Sequence, residues 1–420
     1  MKKKFFLSIS IVLIALIVIL TIYPIKTKNY IRRYLWPFTP LKVQIIIKTL
    51  YDKKYINQFQ NDYNVKFLPE TQFIKLDFKK INLSFLKSTV DNNYYSKFSR
   101  YSFQIELLND NEILIVGDKG KIFQVNLNNI IQNDQNNFKF NEKKSNIKPY
   151  KVLDAFLHED KIFISFISLK DQCYKFNIYL APIASNNLNF KKFFTSDQCG
   201  HAIQGGRMQY YVHEDDAGIL FSTGNNPLDR PKNDAQDLES IYGKILFKSF
   251  NDTKKYIVFS LGHRNPQGLY VDKKLILSTE HGPRGGDEIN NIIFNKNYGW
   301  PISSYGDSYF EKNKIKYKKD HFSHGFKEPV FSFVPSIGIS ELIKLPNNFS
   351  AYWKDNFIVS SLNGSSLYRI KFNEGLNKII SYEKIYIGER VRDLKYNNHF
   401  KAILLALENN GQLGIITVKK

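Results

Sequence analysis

The chain has only two cysteines in 420 residues, Cys173 and Cys199. That shortage excludes a disulfide-built scaffold, and without clustered histidines the pair does not complete a zinc shell. Both cysteines follow an Asp-Gln pair. In an oxidising compartment one bond across the intervening loop is expected; otherwise they remain two separate thiols. Arginine is scarce too, at ten of the sixty basic residues, the rest being lysines scattered along the chain. The formal net charge of +21 thus comes without a dense basic block or a known nucleic-acid motif, so no nucleic-acid partner is expected. Asn, Lys, Ile, Phe and Tyr are abundant, which fits an AT-rich genome, and the basic surface suits anionic lipid. Helical periodicity is nearly absent beyond residue 65, so α/β folds lack their crossover helices.

One long apolar run is present. Phe5 to Ile25 carries no charge and at helical rise spans roughly 30 Å, enough to cross a bilayer. Lys2, Lys3 and Lys4 precede it, which puts the amino terminus in the cytoplasm and the rest of the chain on the extracytoplasmic, periplasmic side. Tyr-Pro-Ile-Lys stands where a signal peptide would show small residues, so residues 1–25 read as an uncleaved transmembrane anchor rather than a cleaved signal. Residues 26–65, basic and aromatic, read as a juxtamembrane stalk.

From there a pattern recurs: an apolar run, a turn containing Gly, Asn or Asp, and a second strand. It appears at Ile113–Leu127, Ile162–Ala181, Ile219–Phe247, Leu275–Ile293, Phe357–Phe372 and Ile403–Val418. Six hairpins, with room between them for two further strands each, predict a six-bladed β-propeller over residues 66–420 preceded by one transmembrane helix. A β-sandwich is the alternative all-β fold. In a propeller, the insertion Asn225–Ser240 and the segment Tyr305–Glu328 would cover the mouth of the channel, where ligand sites form.

Where lysine is the default cation, arginine points to a need for its planar fork. Five of the ten, Arg207, Arg264, Arg284, Arg390 and Arg392, fall in polar or turn-like phrases. Three phrases crowd into Gly262–Pro301: GHRNPQGL, EHGPRGGDEIN and NYGWP. Together they resemble the soluble glucose and aldose sugar dehydrogenases, the glucose/sorbosone dehydrogenase family, which uses pyrroloquinoline quinone (PQQ). The likeness extends more weakly to HAIQGGRM, YGKILF, PSIGISEL, SSLNGSSLYRI and GERVRDL, covering residues 200–394.

The resemblance implies a six-bladed propeller that oxidises an aldose-type sugar, with PQQ and Ca2+ as cofactors. A flat tricarboxylate quinone calls for several cations and a divalent metal. By resemblance, Arg264 and Asn265 contact the quinone and its neighbouring groups, Arg390 and Arg392 meet cofactor carboxylates, and the carbonyls of Gly282 and Pro283 hold calcium. Asp287 and Glu288, adjacent on a strand, point to opposite faces and are poor partners for each other; one of them is a candidate to accept from backbone donors or to hold a second metal. His263 and His281 read as packing histidines, and Tyr298, Trp300 and Pro301 as core and corner residues.

Two positions depart from the family. Its general-base histidine stands four residues before the Arg of Gly-Gly-Arg, where this chain has Ile203, and His201 takes that role only through a local bulge. Its quinone-binding lysine is replaced by Asn363. The reading is therefore an anchored PQQ- and calcium-dependent sugar dehydrogenase passing electrons to a respiratory acceptor. The alternative is a non-catalytic propeller binding a glycan or an envelope protein. A calcium-dependent lactonase would need a ring of Asp, Glu or Asn ligands, which the sequence does not mark.

Overall fold

Each of the six hairpins is the middle strand pair of an antiparallel sheet. The pairs are Glu112–Gly117 with Ile122–Asn126, Lys161–Lys170 with Cys173–Pro182, Asp216–Thr223 with Lys244–Ser249, Ile276–Glu280 with Asp287–Asn291, Phe357–Ser361 with Ser366–Phe372, and Ala402–Leu407 with Gln412–Val418. The computed structural model describes residues 74–86, 101–132, 140–200, 205–225, 233–252, 256–273, 275–308 and 316–419. The anchor read at 1–25, the stalk at 26–65, His201 and Ile203 lie outside these residues. Among the described residues no helix is long and apolar enough to cross a membrane, and the one α-helix, Leu127–Gln132, has six residues.

Inside each hairpin runs one further strand: Phe103–Leu107, Lys151–His158, Gly205–His213, Pro266–Val271, Ile339–Lys344 and Val391–Asn397. These six touch in that order, and the last touches the first. The sheets thus form a closed six-bladed propeller, as the repeat count predicts. The sixth blade takes its outer strand from the start of the described chain, where Leu76–Asn82 pairs antiparallel with Gln412–Val418.

Burial explains why the second strands read as continuous apolar runs rather than as alternations. In Glu112–Gly117, Ile113 and Ile115 pack towards the sixth blade while Leu114 and Val116 pack towards the second. The same holds around the ring, with an apolar cluster between every pair of neighbouring blades. A blade covered on both faces must be apolar on both. Cys173 and Cys199 are bonded, with Cα atoms 5.0 Å apart, which closes a loop within the second blade.

Arg207 lies on the axis. Its Nη1 donates to Gln104 Oε1 at 3.2 Å, Asp154 Oδ1 at 3.0 Å and Asp393 Oδ1 at 2.8 Å, and pairs with Glu341 Oε2 at 2.9 Å. Its Nε donates to the Gln267 carbonyl at 2.7 Å and its Nη2 to the Arg392 carbonyl at 3.0 Å. One guanidinium in the third blade therefore reaches all five others. Five of the inner strands break register beside these residues, a bulge that turns the polar group to the axis. Burial works against the charge of Arg207, but Glu341, Asp393 and Asp154 raise its pKa.

The carboxyls respond in the opposite sense. Burial pushes Asp154 up to about 6 and Glu341 up to about 7, against the pull of Arg207. A carboxyl whose folded pKa exceeds its unfolded one stabilises the fold fully below the unfolded value and loses that contribution as pH rises through the folded one. For Glu341 the window runs from about 4.5 to about 7. Glu341→Gln is therefore expected to gain stability relative to the wild type as pH rises through this window. Urea midpoints measured at several pH values would show it; a pH-independent difference would mean that Glu341 titrates normally.

Candidate active site at the channel mouth

The inner strands run in a common direction around the ring, so the segments that precede them meet at one mouth. GHRNPQGL links Ile257–Leu261 to the inner strand Pro266–Val271, and EHGPRGGDEIN joins the next two strands of that blade. Gly282 is forced by packing, because a Cβ there would lie 2.0 Å from the Gly286 carbonyl oxygen. Gly286 itself has φ of +69°, a left-handed conformation that glycine adopts readily. Asp287 braces this turn: Oδ1 accepts from Gly282 N at 3.0 Å, and Oδ2 accepts from Ile337 N and Ile339 N at 3.0 and 2.9 Å. Glu288 points elsewhere, to His321 Nε2 at 3.2 Å, so the two carboxylates face apart as expected. Burial raises the Glu288 pKa despite that histidine.

Arg264 is buried. Its backbone N–H donates to Glu280 Oε1, its Nη1 donates to the His281 carbonyl at 3.0 Å, and its guanidinium sits 5.2 Å from the Trp300 ring centroid. His263 is fully engaged, with Glu280 Oε2 at 2.9 Å and Ser260 Oγ at 2.8 Å, and it stacks on Tyr298, a packing histidine as expected. Trp300 is buried, but it also lines the cleft beside Arg264, a role its reading as a corner residue missed. The cleft is further lined by His281, Gly282, Pro283, His321 and the carboxyls of Glu280 and Glu288.

A directed chain of hydrogen bonds crosses the mouth. Arg392 Nη1 donates to Gln267 Oε1 at 2.9 Å, Gln267 Nε2 donates to Asn265 Oδ1 at 2.9 Å, and Asn265 Nδ2 faces His281 Nδ1 at 3.4 Å. A guanidinium cannot accept, so it fixes both amide orientations and leaves the His281 proton on Nε2. That Nε2 is buried and makes no well-formed hydrogen bond among the described residues, although the Ile339 backbone favours the charged ring. Burial lowers the His281 pKa to about 4, Asp287 opposing and Arg264 and Arg392 adding to the effect. The Asn225 side-chain amide and Trp300 Nε1 are likewise buried and without partners among the described residues, and the Asn225 backbone N–H donates to the Arg264 carbonyl at 2.8 Å.

Arg390 and Arg392 share the fully buried Glu408, through Nε to Oε2 at 3.4 Å and Nε to Oε1 at 2.6 Å. Burial lowers the Arg390 pKa. The structure thus joins Arg392 to Asn265 and, through His281, to the Gly282–Pro283 turn. Asn363 is exposed on its own turn and makes no side-chain hydrogen bond. Of the segments expected over the mouth, Gln236 bonds the Trp300 carbonyl at 2.6 Å, and Asp307 pairs with Arg284 through their backbones. Gln267 stood inside a phrase already singled out, whereas nothing in LALENN or KPYKVLD marked Glu408 or Lys151 as part of the mouth.

The mouth as a whole offers a flat polyanion several cations: Arg264 and the Trp300 ring line the cleft together with the carboxyls of Glu280 and Glu288, Arg390 and Arg392 stand at the same end of the channel outside that lining, and buried polar atoms near Arg264 have no partners among the described residues. Among the described residues no group of three or more His, Cys, Asp or Glu side chains could hold a metal, so a cation here would depend on backbone carbonyls.

Residues 99–415 match the family model described as glucose/sorbosone dehydrogenase, a wider span than the motifs cover. A stretch of 225 residues is 29% identical to the aldose sugar dehydrogenase YliI of Escherichia coli, covering 50% of this chain and 58% of that one. A stretch of 61 residues is 48% identical to quinoprotein glucose dehydrogenase B of Acinetobacter calcoaceticus, covering 14% and 13%. The chain matches between 13% and 58% of the length of its curated relatives. The apo-form crystal structure of the soluble aldose sugar dehydrogenase of Escherichia coli superposes with a TM-score of 0.63 at 18% identity, covering 82% of this chain and all of that one, a likeness of fold.

Proposed function

The chain belongs to the glucose/sorbosone dehydrogenase family, and from that premise we propose that it oxidises an aldose-type sugar hydroxyl to a lactone or carbonyl with PQQ and calcium. The carrying observation is the cleft at Arg264, where a stacked guanidinium stands among buried, unpartnered polar atoms. When bound, PQQ would supply the two-electron acceptor and calcium the polarising charge. Arg264 and Asn265 would contact the quinone, and Arg390 and Arg392 would hold its carboxylates. The carbonyls of Gly282 and Pro283 would face the calcium, with the Asp287 brace keeping that turn in place. His201 would take the proton of the anomeric hydroxyl as hydride leaves. Gln236 and the backbone pairing of Arg284 with Asp307 hold neighbouring loops against the cleft, which favours exclusion of water.

The test is reconstitution with PQQ and calcium followed by dye reduction over a sugar panel. Turnover, with His201→Ala lowering kcat by roughly 100-fold or more, is expected. No turnover and no change in the cofactor absorbance would sink the reading. Full activity of His201→Ala would remove the base assignment alone.

A second reading, a non-catalytic propeller binding a glycan or an envelope protein, is favoured by Asn363, exposed where the family lysine is charged, and by Ile203. Tight sugar binding without turnover would support it. The uncharged run Phe5–Ile25 supports a membrane anchor with the propeller on the extracytoplasmic side, near a respiratory acceptor. The Cys173–Cys199 bond suits that oxidising compartment.

A further inference from the structure

Lys151 opens the inner strand of the second blade, at the same end of the channel as Arg264, Arg390 and Arg392. Its ammonium is within electrostatic reach of Arg392, Glu408, Asp118 and Lys119. Lys119 is engaged, donating to the Tyr150 carbonyl at 2.8 Å and lying 5.0 Å from the Tyr150 ring. Lys151 donates to no group of the protein among the described residues. Glu408 makes no hydrogen bond to Lys151; its two oxygens accept from the Nε of Arg390 and of Arg392. The corner therefore gathers four cations, Lys119, Lys151, Arg390 and Arg392, around two carboxylates, Glu408 and Asp118, and carries an excess of positive charge.

Like charges crowded into a half-buried corner repel, and burial followed by the Arg392 charge lowers the Lys151 pKa to about 8. An arrangement that is unfavourable alone becomes favourable once a polyanion enters. The fifth blade meanwhile offers the neutral Asn363 where the family carries a lysine. We infer that Lys151 is a cofactor-anchoring residue: its ammonium, together with Arg392, binds a carboxylate of PQQ and supplies from the second blade the cation missing at position 363. This rests on the reading of the mouth as a PQQ site. No family motif falls on Lys151, and the lysine lies outside every phrase that identified the family.

The test uses the full chain and measures PQQ affinity by quenching of tryptophan fluorescence, without turnover. Lys151→Met is expected to weaken binding by about 100-fold, the scale of one lost charge-assisted contact. Asn363→Lys in the Lys151→Met background should recover at least about tenfold. Because Lys151 makes no hydrogen bond among the described residues, the variant should melt with the wild type, which separates lost binding from lost folding. Modification of Lys151 by an amine reagent near pH 8, read by mass spectrometry, should slow when PQQ is present. Unchanged affinity in Lys151→Met, or modification indifferent to PQQ, would overturn the assignment and leave Asp118 as the lysine's partner, with the redox reading intact. Failure of the wild-type chain to bind PQQ would overturn both.

Discussion

Replacing Arg207 with methionine is expected to destabilise the propeller by about 3–5 kcal/mol. Methionine fills similar volume, so the loss is not one of packing. It comes from Asp154, Glu341 and Asp393, which would face one another without the guanidinium that now holds them at 2.8 to 3.0 Å. It also comes from the Gln267 and Arg392 carbonyls, which would lose their donor. The penalty should shrink at acid pH, because Asp154 and Glu341, already pushed up to about 6 and about 7 by burial, would then be neutral. Adding Asp154→Asn and Glu341→Gln should restore much of the stability at pH 8. Urea unfolding followed by tryptophan fluorescence measures all three. A loss in Arg207→Met that did not depend on pH would mean the carboxylates are not its source.

The blades were legible because a blade hairpin is a local object: an apolar run, a turn and a return fall within about twenty residues, and burial on both faces removes polar interruptions. The outer strand Leu76–Asn82 was not, because its partner Gln412–Val418 lies at the far end of the chain and the strand alternates too weakly to announce itself. Arg207 stood out as an arginine in a lysine-rich chain, but its role could not be read, since its partners are spread over the five other blades. Glu408 and Lys151 were invisible for the same reason. Their significance is purely spatial: one sits between two arginines, the other beside them. Asp287 could be read halfway, as an acceptor from backbone donors, because the choice between peptide N–H groups and a metal depends on Ile337 and Ile339 of the next blade.

Arg264→Ala is expected to weaken PQQ binding by about 100- to 1,000-fold, equivalent to about 3–4 kcal/mol, while costing the apo-protein only about 1–2 kcal/mol of stability. The two halves of this expectation belong together. The loop that carries Arg264 is held by its backbone N–H on Glu280 and by His263 between Glu280 and Ser260, none of which the substitution removes. What goes is the Nη1 bond to the His281 carbonyl and the contact of the guanidinium with the Trp300 ring, at the wall of the cleft. Were Arg264 instead a blade-to-blade ion pair, the alanine variant would lose stability as Arg207→Met does, and PQQ affinity would follow the fold. Arg264→Lys adds a finer distinction, because it keeps the charge and loses the planar fork. Affinity between that of the wild type and of Arg264→Ala would assign part of the binding to fork geometry, and wild-type affinity would reduce the role of Arg264 to charge alone. Binding by Arg264→Ala at wild-type strength would remove the residue from the site altogether.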